Sequence, residues 1–278
     1  MKKTALLPLV TYPEPLPGEA LAATVEFAAK AGFDLFALSL EADFPDVANA
    51  LSRLLLDVPE MIRRAEAQSR MGGEGLLKAV AALAAQHGVE SEAGRRRSAQ
   101  ELVGDAAAEE ARYFDLTVVP MPKVGEQGRA IAEAIVFGSG RPTILLPEAL
   151  VVRGLRRAVV AWDGSRVAAR AVNDMLSLFG GMDQVTIVSV LNEKPLHADD
   201  LGDRLAAQLI KRGVPARALA VELEDQPIGA TLQDFAIQDG AGLLAMGAYG
   251  HSRLREFVLG GATRTILEDV RLPVLMSH

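Results

Sequence analysis

The chain has 278 residues, half of them hydrophobic but only 5% aromatic, and a net charge of −7. An aliphatic core of Ala, Leu and Val suits buried parallel strands in an α/β protein, and the length allows two domains of ordinary size. The acidic balance argues against broad nucleic-acid binding, and the absence of cysteine excludes disulfides, thiolate metal sites and cysteine nucleophiles.

The first residues, Met1 to Leu7, imitate a signal segment, but Pro8 interrupts the apolar run and Pro13, Pro15 and Pro17 follow, so no signal is expected. No stretch approaches the roughly 18 apolar residues of a membrane span. Both readings, with the lack of cysteine, lead to an expected cytoplasmic location. In chain order, residues 5–11 read as a strand, 18–31 as a helix and 35–40 as a strand. Helical segments fill 47–86, more than a sheet of this kind needs, and serve as scaffold or as cover for a pocket or partner. Residues 88–93 read as a weak strand, 99–113 as a helix, 116–120 as a strand, 130–137 as a helix and 142–146 as a strand. Arg95, Arg96 and Arg97 form the densest basic cluster and read as a solvated surface.

The outline then repeats. Residues 158–162 are a short β-branched run, punctuated by Asp163-Gly164-Ser165. Residues 166–179 have helical spacing and stop at Gly180-Gly181. Strands are expected at 185–191, 218–223, 243–246 and 273–276, and helices at 200–212, 228–238 and 263–270. Arg141-Pro142-Thr143-Ile144-Leu145 resembles Leu272-Pro273-Val274-Leu275-Met276. The sequence therefore reads as two tandem copies of one five-stranded parallel α/β domain, residues 1–152 and 153–278.

The densest signal is Met246-Gly247-Ala248-Tyr249-Gly250, followed by residues 251–259 and then Gly260-Gly261-Ala262-Thr263. A strand, a glycine loop and a helix in that order suit a phosphate, because small residues admit an anion to the backbone and the helix start offers free N–H groups. Together with Asp163 after the first strand of the second copy and the closing Leu-Pro-Val-Leu-Met, this pattern resembles the universal stress protein family. Its ATP-binding members carry Gly-x2-Gly-x9-Gly-Ser/Thr after strand four. The resemblance covers most of residues 155–278. It implies a nucleotide-binding fold of the adenine nucleotide α-hydrolase-like type, and ATP or a related adenine nucleotide, with Mg²⁺, as the ligand. It also implies site residues Asp163, Val190, Met246, Gly247, Gly250, Gly260, Gly261 and Thr263.

Each residue also has a plainer role. Asp163-Gly164-Ser165 is a turn and helix cap as readily as a ligand contact, and one residue can do both. Val190 in a strand is ordinary core, and its adenine-lining role rests on the resemblance. Gly247 and Gly250 can be turn glycines. Arg253, Arg255 and Arg264 lie near enough to neutralise phosphates, though a solvated role suits most of them, and His251 reads as a loop residue. Gly261 stands where the family pattern has a hydroxyl. Thr263 replaces it only if the turn is shifted, and one missing hydrogen bond costs about 1 kcal/mol, up to about 3 for a charged acceptor.

The first copy departs further. From Val119 to Pro142 is 23 residues, against 27 from Met246 to Pro273, and Pro120 and Lys123 replace Gly247 and Gly250. Proline has no N–H to offer. The first strand ends at Thr11-Tyr12-Pro13 without an acid, so the first copy is expected to lack the nucleotide site. No base–nucleophile pair assembles by spacing, and no Gly-x4-Gly-Lys-Ser/Thr, Gly-x-Gly-x-x-Gly or Gly-x-Ser-x-Gly motif occurs. The chain is thus expected to be a binding or regulatory stress-response protein, with no catalytic residue and no metal-ligand spacing. A nucleotide-independent interaction module is the alternative, and a weak ATPase a third. A homodimer and an unidentified protein partner are further expectations.

Overall fold

The computed structural model describes residues 2–45, 57–121, 126–150, 152–191, 200–222, 226–248 and 261–278, with the side chains of 126 and 127 outside that set. The first half contains β1 (Lys3–Val10), α1 (Gly18–Ala31), β2 (Phe33–Ala42), α2 (Val58–His87), β3 (Ser91–Ser98), α3 (Val103–Ala111), β4 (Leu116–Met121), α4 (Glu126–Gly138) and β5 (Thr143–Pro147). The second contains β6 (Arg157–Ala161), α5 (Arg166–Phe179), β7 (Gln184–Leu191), α6 (Leu201–Lys211), β8 (Ala216–Glu222), α7 (Ile228–Gln238), β9 (Leu243–Gly247), α8 (Gly261–Glu268) and β10 (Val274–Ser277).

The ten strands form one sheet in the order β3-β2-β1-β4-β5-β10-β9-β6-β7-β8. Each half is parallel within itself, and the halves meet through the antiparallel pair β5–β10, where Ile144 lies opposite Leu275. This is the α/β, mostly parallel architecture read from the sequence. Central strands such as β4 and β5 are buried throughout, as parallel strands with helices on both faces must be.

Two large cores lie on opposite faces. One takes α1, α5 and α6 against alternate strand residues such as Ala5, Ala158 and Val160; the other takes α3, α4, α7 and α8 against Leu6, Val159 and Val188. A third cluster packs Leu76 and Val80 of α2 on Leu7, Leu9 and Ala37. Helix α5 follows its sequence periodicity closely: Ala168, Ala171, Val172, Met175 and Leu178 are its buried residues. The halves also touch through side chains. Phe179 packs against Phe27 and Phe33, and Arg170 donates to the carbonyls of Gly140 and His278.

Two sequence expectations need correction. The weak strand expected at 88–93 lies at Ser91–Ser98, because Gly88 adopts φ +67 and ends α2 as its left-handed cap. The three arginines therefore sit within β3, where Arg95 and Arg97 are exposed, in keeping with the surface reading, and each is ion-paired. Arg95 pairs with Glu74 at 3.2 Å, Arg96 with Glu109, and Arg97 with Asp43 and, at 3.2 Å, with Glu66. The helical region 47–86 is described from Val58 on as one 30-residue helix, and residues 46–56 lie outside the described residues.

Candidate functional site

In the second half the chain leaves β6 toward β7 and β8 on one side and returns on the other as β9. Crossovers reverse direction between β6 and β9, and in open α/β sheets ligands bind where the carboxyl ends of such strands part. The pairing Val160↔Ala245 brings the ends of both strands to one edge. Asp163 and Ser165 follow β6 there, and Gly247 and Ala248 end β9. Helices α5 and α8 both start at this edge, so two positive helix ends point toward it.

The β6 turn is built from its own side chains. Asp163 Oδ1 accepts the Ser165 N–H at 2.9 Å, and Ser165 Oγ accepts the Ala168 N–H at 3.2 Å as the N-cap of α5. Gly164 between them has φ +75, a left-handed conformation that glycine adopts without strain. Such a cap is worth about 1 kcal/mol. The cap reading of Asp163-Gly164-Ser165 thus has direct support. Asp163 remains only half-buried.

Around it the strand ends form an apolar shelf. Ala161, Val188, Val190, Val221, Met246 and Ala248 all belong to the core on the α7–α8 face; Met246 and Ala248 are buried, whereas Val190 and Val221 are half-exposed. Val190 pairs with Val221, and Asp163 follows β6 two residues past the last pair, Ala161↔Val188. Ile228, at the start of α7, extends the shelf. Trp162, on the opposite face, fixes its rear wall. Its N–H takes the Val188 carbonyl at 2.8 Å, its indole N–H donates to Leu201 O at 3.1 Å, and its carbonyl accepts Ser189 Oγ at 2.9 Å.

The glycines divide. A Cβ on Gly247 would lie 2.6 Å from the Ala168 backbone nitrogen and 2.6 Å from Val167 Cγ2. Gly247 is therefore required by the close seat of α5 on β9, whatever else approaches it. Gly261 begins α8, is exposed, and has open space where a Cβ would be. Its carbonyl accepts Thr265 Oγ1 at 2.9 Å. Thr263 is buried at 1% exposure and faces the core of α8, with Ile266 and Leu267. Gly250 and Gly260 lie outside the described residues, as do Arg253, Arg255 and His251.

Arg264 is exposed and held by Glu268 at 2.9 Å, and that hydrogen bond raises its pKa above the ordinary arginine value. His278 was not singled out by spacing, because its partner is 30 residues away. Its Nδ1 lies 3.0 Å from Ala248 O, and its ring packs edge-on against Phe137 of the first half. Ser277 Oγ donates to Asp174 at 2.8 Å, so β10 and α5 together brace the end of β9. Among the described residues no group of three or more His, Asp or Glu side chains is placed to hold a metal ion. None of the described helices is long and apolar enough to cross a membrane.

The first half closes the corresponding place. Ala5 and Ala158 occupy the same position, each pairing with the second and fourth strand of its half. Five residues on, Val10 stands where Asp163 does, and the pair Leu40↔Arg96 answers Val190↔Val221. Arg96 is tied to α3 through Glu109 and the Ala106 carbonyl. On the other face, Thr11 Oγ1 donates to Leu40 O at 2.8 Å and contacts Ser69 Oγ of α2 at 2.6 Å, while Ser69 accepts the Ala42 N–H at 2.8 Å.

Comparison with known proteins agrees with this fold. The profile of the Universal stress protein family matches residues 154–278. A relative named Universal stress protein Slr1230, from Synechocystis sp., is 27% identical over 175 residues, spanning 58% of this chain and 58% of its own length. Among solved structures, a universal stress protein from Archaeoglobus fulgidus superposes with TM-score 0.68 at 16% identity, over 99% of this chain and 96% of that one. A putative universal stress protein from Pseudomonas aeruginosa gives 0.52 at 13%, over 99% and 93%. At these identities the structures support the fold alone.

Proposed function

We propose, from the membership of residues 154–278 in the universal stress protein family, that the chain is a cytoplasmic stress-response protein whose second half binds ATP or a related adenine nucleotide. The observation that carries this reading is the convergence at one sheet edge of a half-buried carboxylate, Asp163, an apolar shelf ending in Val190 and Val221, and the N-terminus of α8 at Gly261. Those residues fit the parts of such a ligand. The shelf accepts a flat base, the Asp163 carboxylate lies at the same edge, and the α8 start favours an anion. Any Mg²⁺ would be carried by the phosphates, since the described residues offer no carboxylate cage.

No group in the described edge is paired as base and nucleophile, and the function we propose is regulatory. Occupancy changes how the edge presents itself to a protein partner. The test is direct. The protein is purified, denatured, and its released small molecules analysed; ATP with Mg²⁺ is then titrated while Trp162, the single tryptophan, reports from the adjoining strand end. Co-purified adenine nucleotide, or a saturable fluorescence change lost in Asp163→Ala, supports the reading. No nucleotide and no response at millimolar ATP overturns it. A second reading, an interaction module without nucleotide, draws on Gly247, whose lack of a side chain is accounted for by α5 alone.

A further inference from the structure

Helix α2 contains Gly72, Gly73 and Gly75 in its interior, a composition that weakens a helix by roughly 1 kcal/mol per glycine relative to alanine. Packing explains only one of them. A Cβ on Gly73 would fall 2.2 Å from Ser39 Oγ, whereas one on Gly72 would make ordinary contacts at 3.5 Å or beyond and one on Gly75 would meet nothing within 4 Å. The helix also changes character at this point. Beyond it Leu76, Val80 and Ala84 are buried, but from Val58 to Gly75 the buried residues are Ser69 and Gly73, neither of which contributes apolar side-chain burial.

The N-terminal part is held by polar contacts instead. Thr11 commits its hydroxyl hydrogen to Leu40 O, so Ser69 donates to Thr11 while accepting from Ala42, which completes a relay of three hydrogen bonds. Glu66 accepts the Phe44 N–H at 3.2 Å and pairs with Arg97 at 3.2 Å. On the strand side, Ser39 Oγ, under Gly73, and Glu41 Oε1 are buried without a hydrogen-bond partner, in residues 0% and 4% exposed, and Arg95 stands 3.8 Å from Glu41 Oε1 as an ion pair. A buried hydroxyl left without a hydrogen bond is costly, and water would satisfy Ser39.

From these observations we infer that residues 58–71 of α2 are a lid over the carboxyl end of the first half-sheet. Its hinge is Gly72–Gly75 and its latch is Ser69. Closed, the lid is tied by hydrogen bonds that water can replace. Open, it leaves 76–87 packed, gives the Thr11 hydroxyl and the N–H groups of Ala42 and Phe44 to water, and loosens Gly73 from Ser39 so that water reaches the end of β2. Site-resolved hydrogen exchange on the full chain tests this. Amides of 61–71 exchange as one block with a common protection, and a step up in protection falls at 72–75. Gly72→Ala with Gly75→Ala, both of which have room, slows the block about thirtyfold relative to 76–87. Ser69→Ala speeds it about tenfold. Protection that rises residue by residue from Val58, as simple fraying gives, overturns the hinge. So does an alanine pair that slows both parts of the helix equally, or a Ser69→Ala variant with unchanged exchange.

Discussion

The two halves share their strand order and much of their packing, yet they treat the same edge of the sheet in opposite ways. In the second half, β6 ends in a short turn carrying Asp163, and the helix between its second and third strands has 11 residues. In the first half, β1 runs on through Val10, and the corresponding helix has 30 residues and reaches back over the strand ends. One half keeps a carboxylate beside a half-exposed shelf. The other replaces the acid with valine, ties the shelf's outer member, Arg96, to α3, and covers the opposite face with Ser69 and Gly73. A shared scaffold thus fixes where a site can be, and two local choices decide whether it is one: the residue after the first strand and the reach of the second helix.

That contrast can be broken at several points. The largest effect is expected from Gly247→Val, which drives a side chain into the backbone of α5 and costs about 3 kcal/mol in chemical denaturation. Pro120 holds the matching position in the first half and already carries a Cβ, so Pro120→Val there should cost clearly less. Asp163→Ala should weaken adenine-nucleotide binding ten- to a hundredfold by titration, as expected for a hydrogen bond to a charged group. Val10→Ala should leave that affinity unchanged. Ser165→Ala, which uncaps α5, should lower stability by about 1 kcal/mol.

The smallest effect concerns acid. The Arg96 hydrogen bond holds the Glu109 carboxyl below its ordinary value. A carboxyl with a depressed folded pKa contributes stability above its unfolded pKa, and loses it as pH falls through the folded one. Both groups are exposed, so the contribution is small and screened by salt. Glu109→Gln should slightly flatten the loss of stability below the ordinary glutamate pKa, and high salt should erase the difference.

Much of this was legible in the sequence because the signals are local. Apolar runs and helical spacing placed all ten strands to within a few residues, and the alternation of strands and helices gave the parallel sheet. Asp163 was legible because a strand end, a glycine and a serine cap follow one another directly. What escaped depends on contacts distant in the chain. Glycine at 247 reads as a loop signal, but its packing reason lies in Val167 and Ala168, roughly 80 residues earlier. The ion pairs of the β3 arginines were not legible because their acidic partners come from α2, α3, β2 and the residue after it. His278 has no spacing that links it to Ala248, and the shelf formed by Val190 and Val221 exists only once β7 and β8 are in register.

The antiparallel pair β5–β10 has a consequence of another kind. Two separate copies joined at such an edge about a two-fold axis must present the same surface to each other, so any change in one is forced on both. Held within one chain, the same junction works at an effective concentration set by the polypeptide and is not lost on dilution. It also needs no identity between its sides. One half can therefore carry an acid after its first strand while the other carries a long covering helix, an asymmetry that a dimer of identical subunits cannot hold.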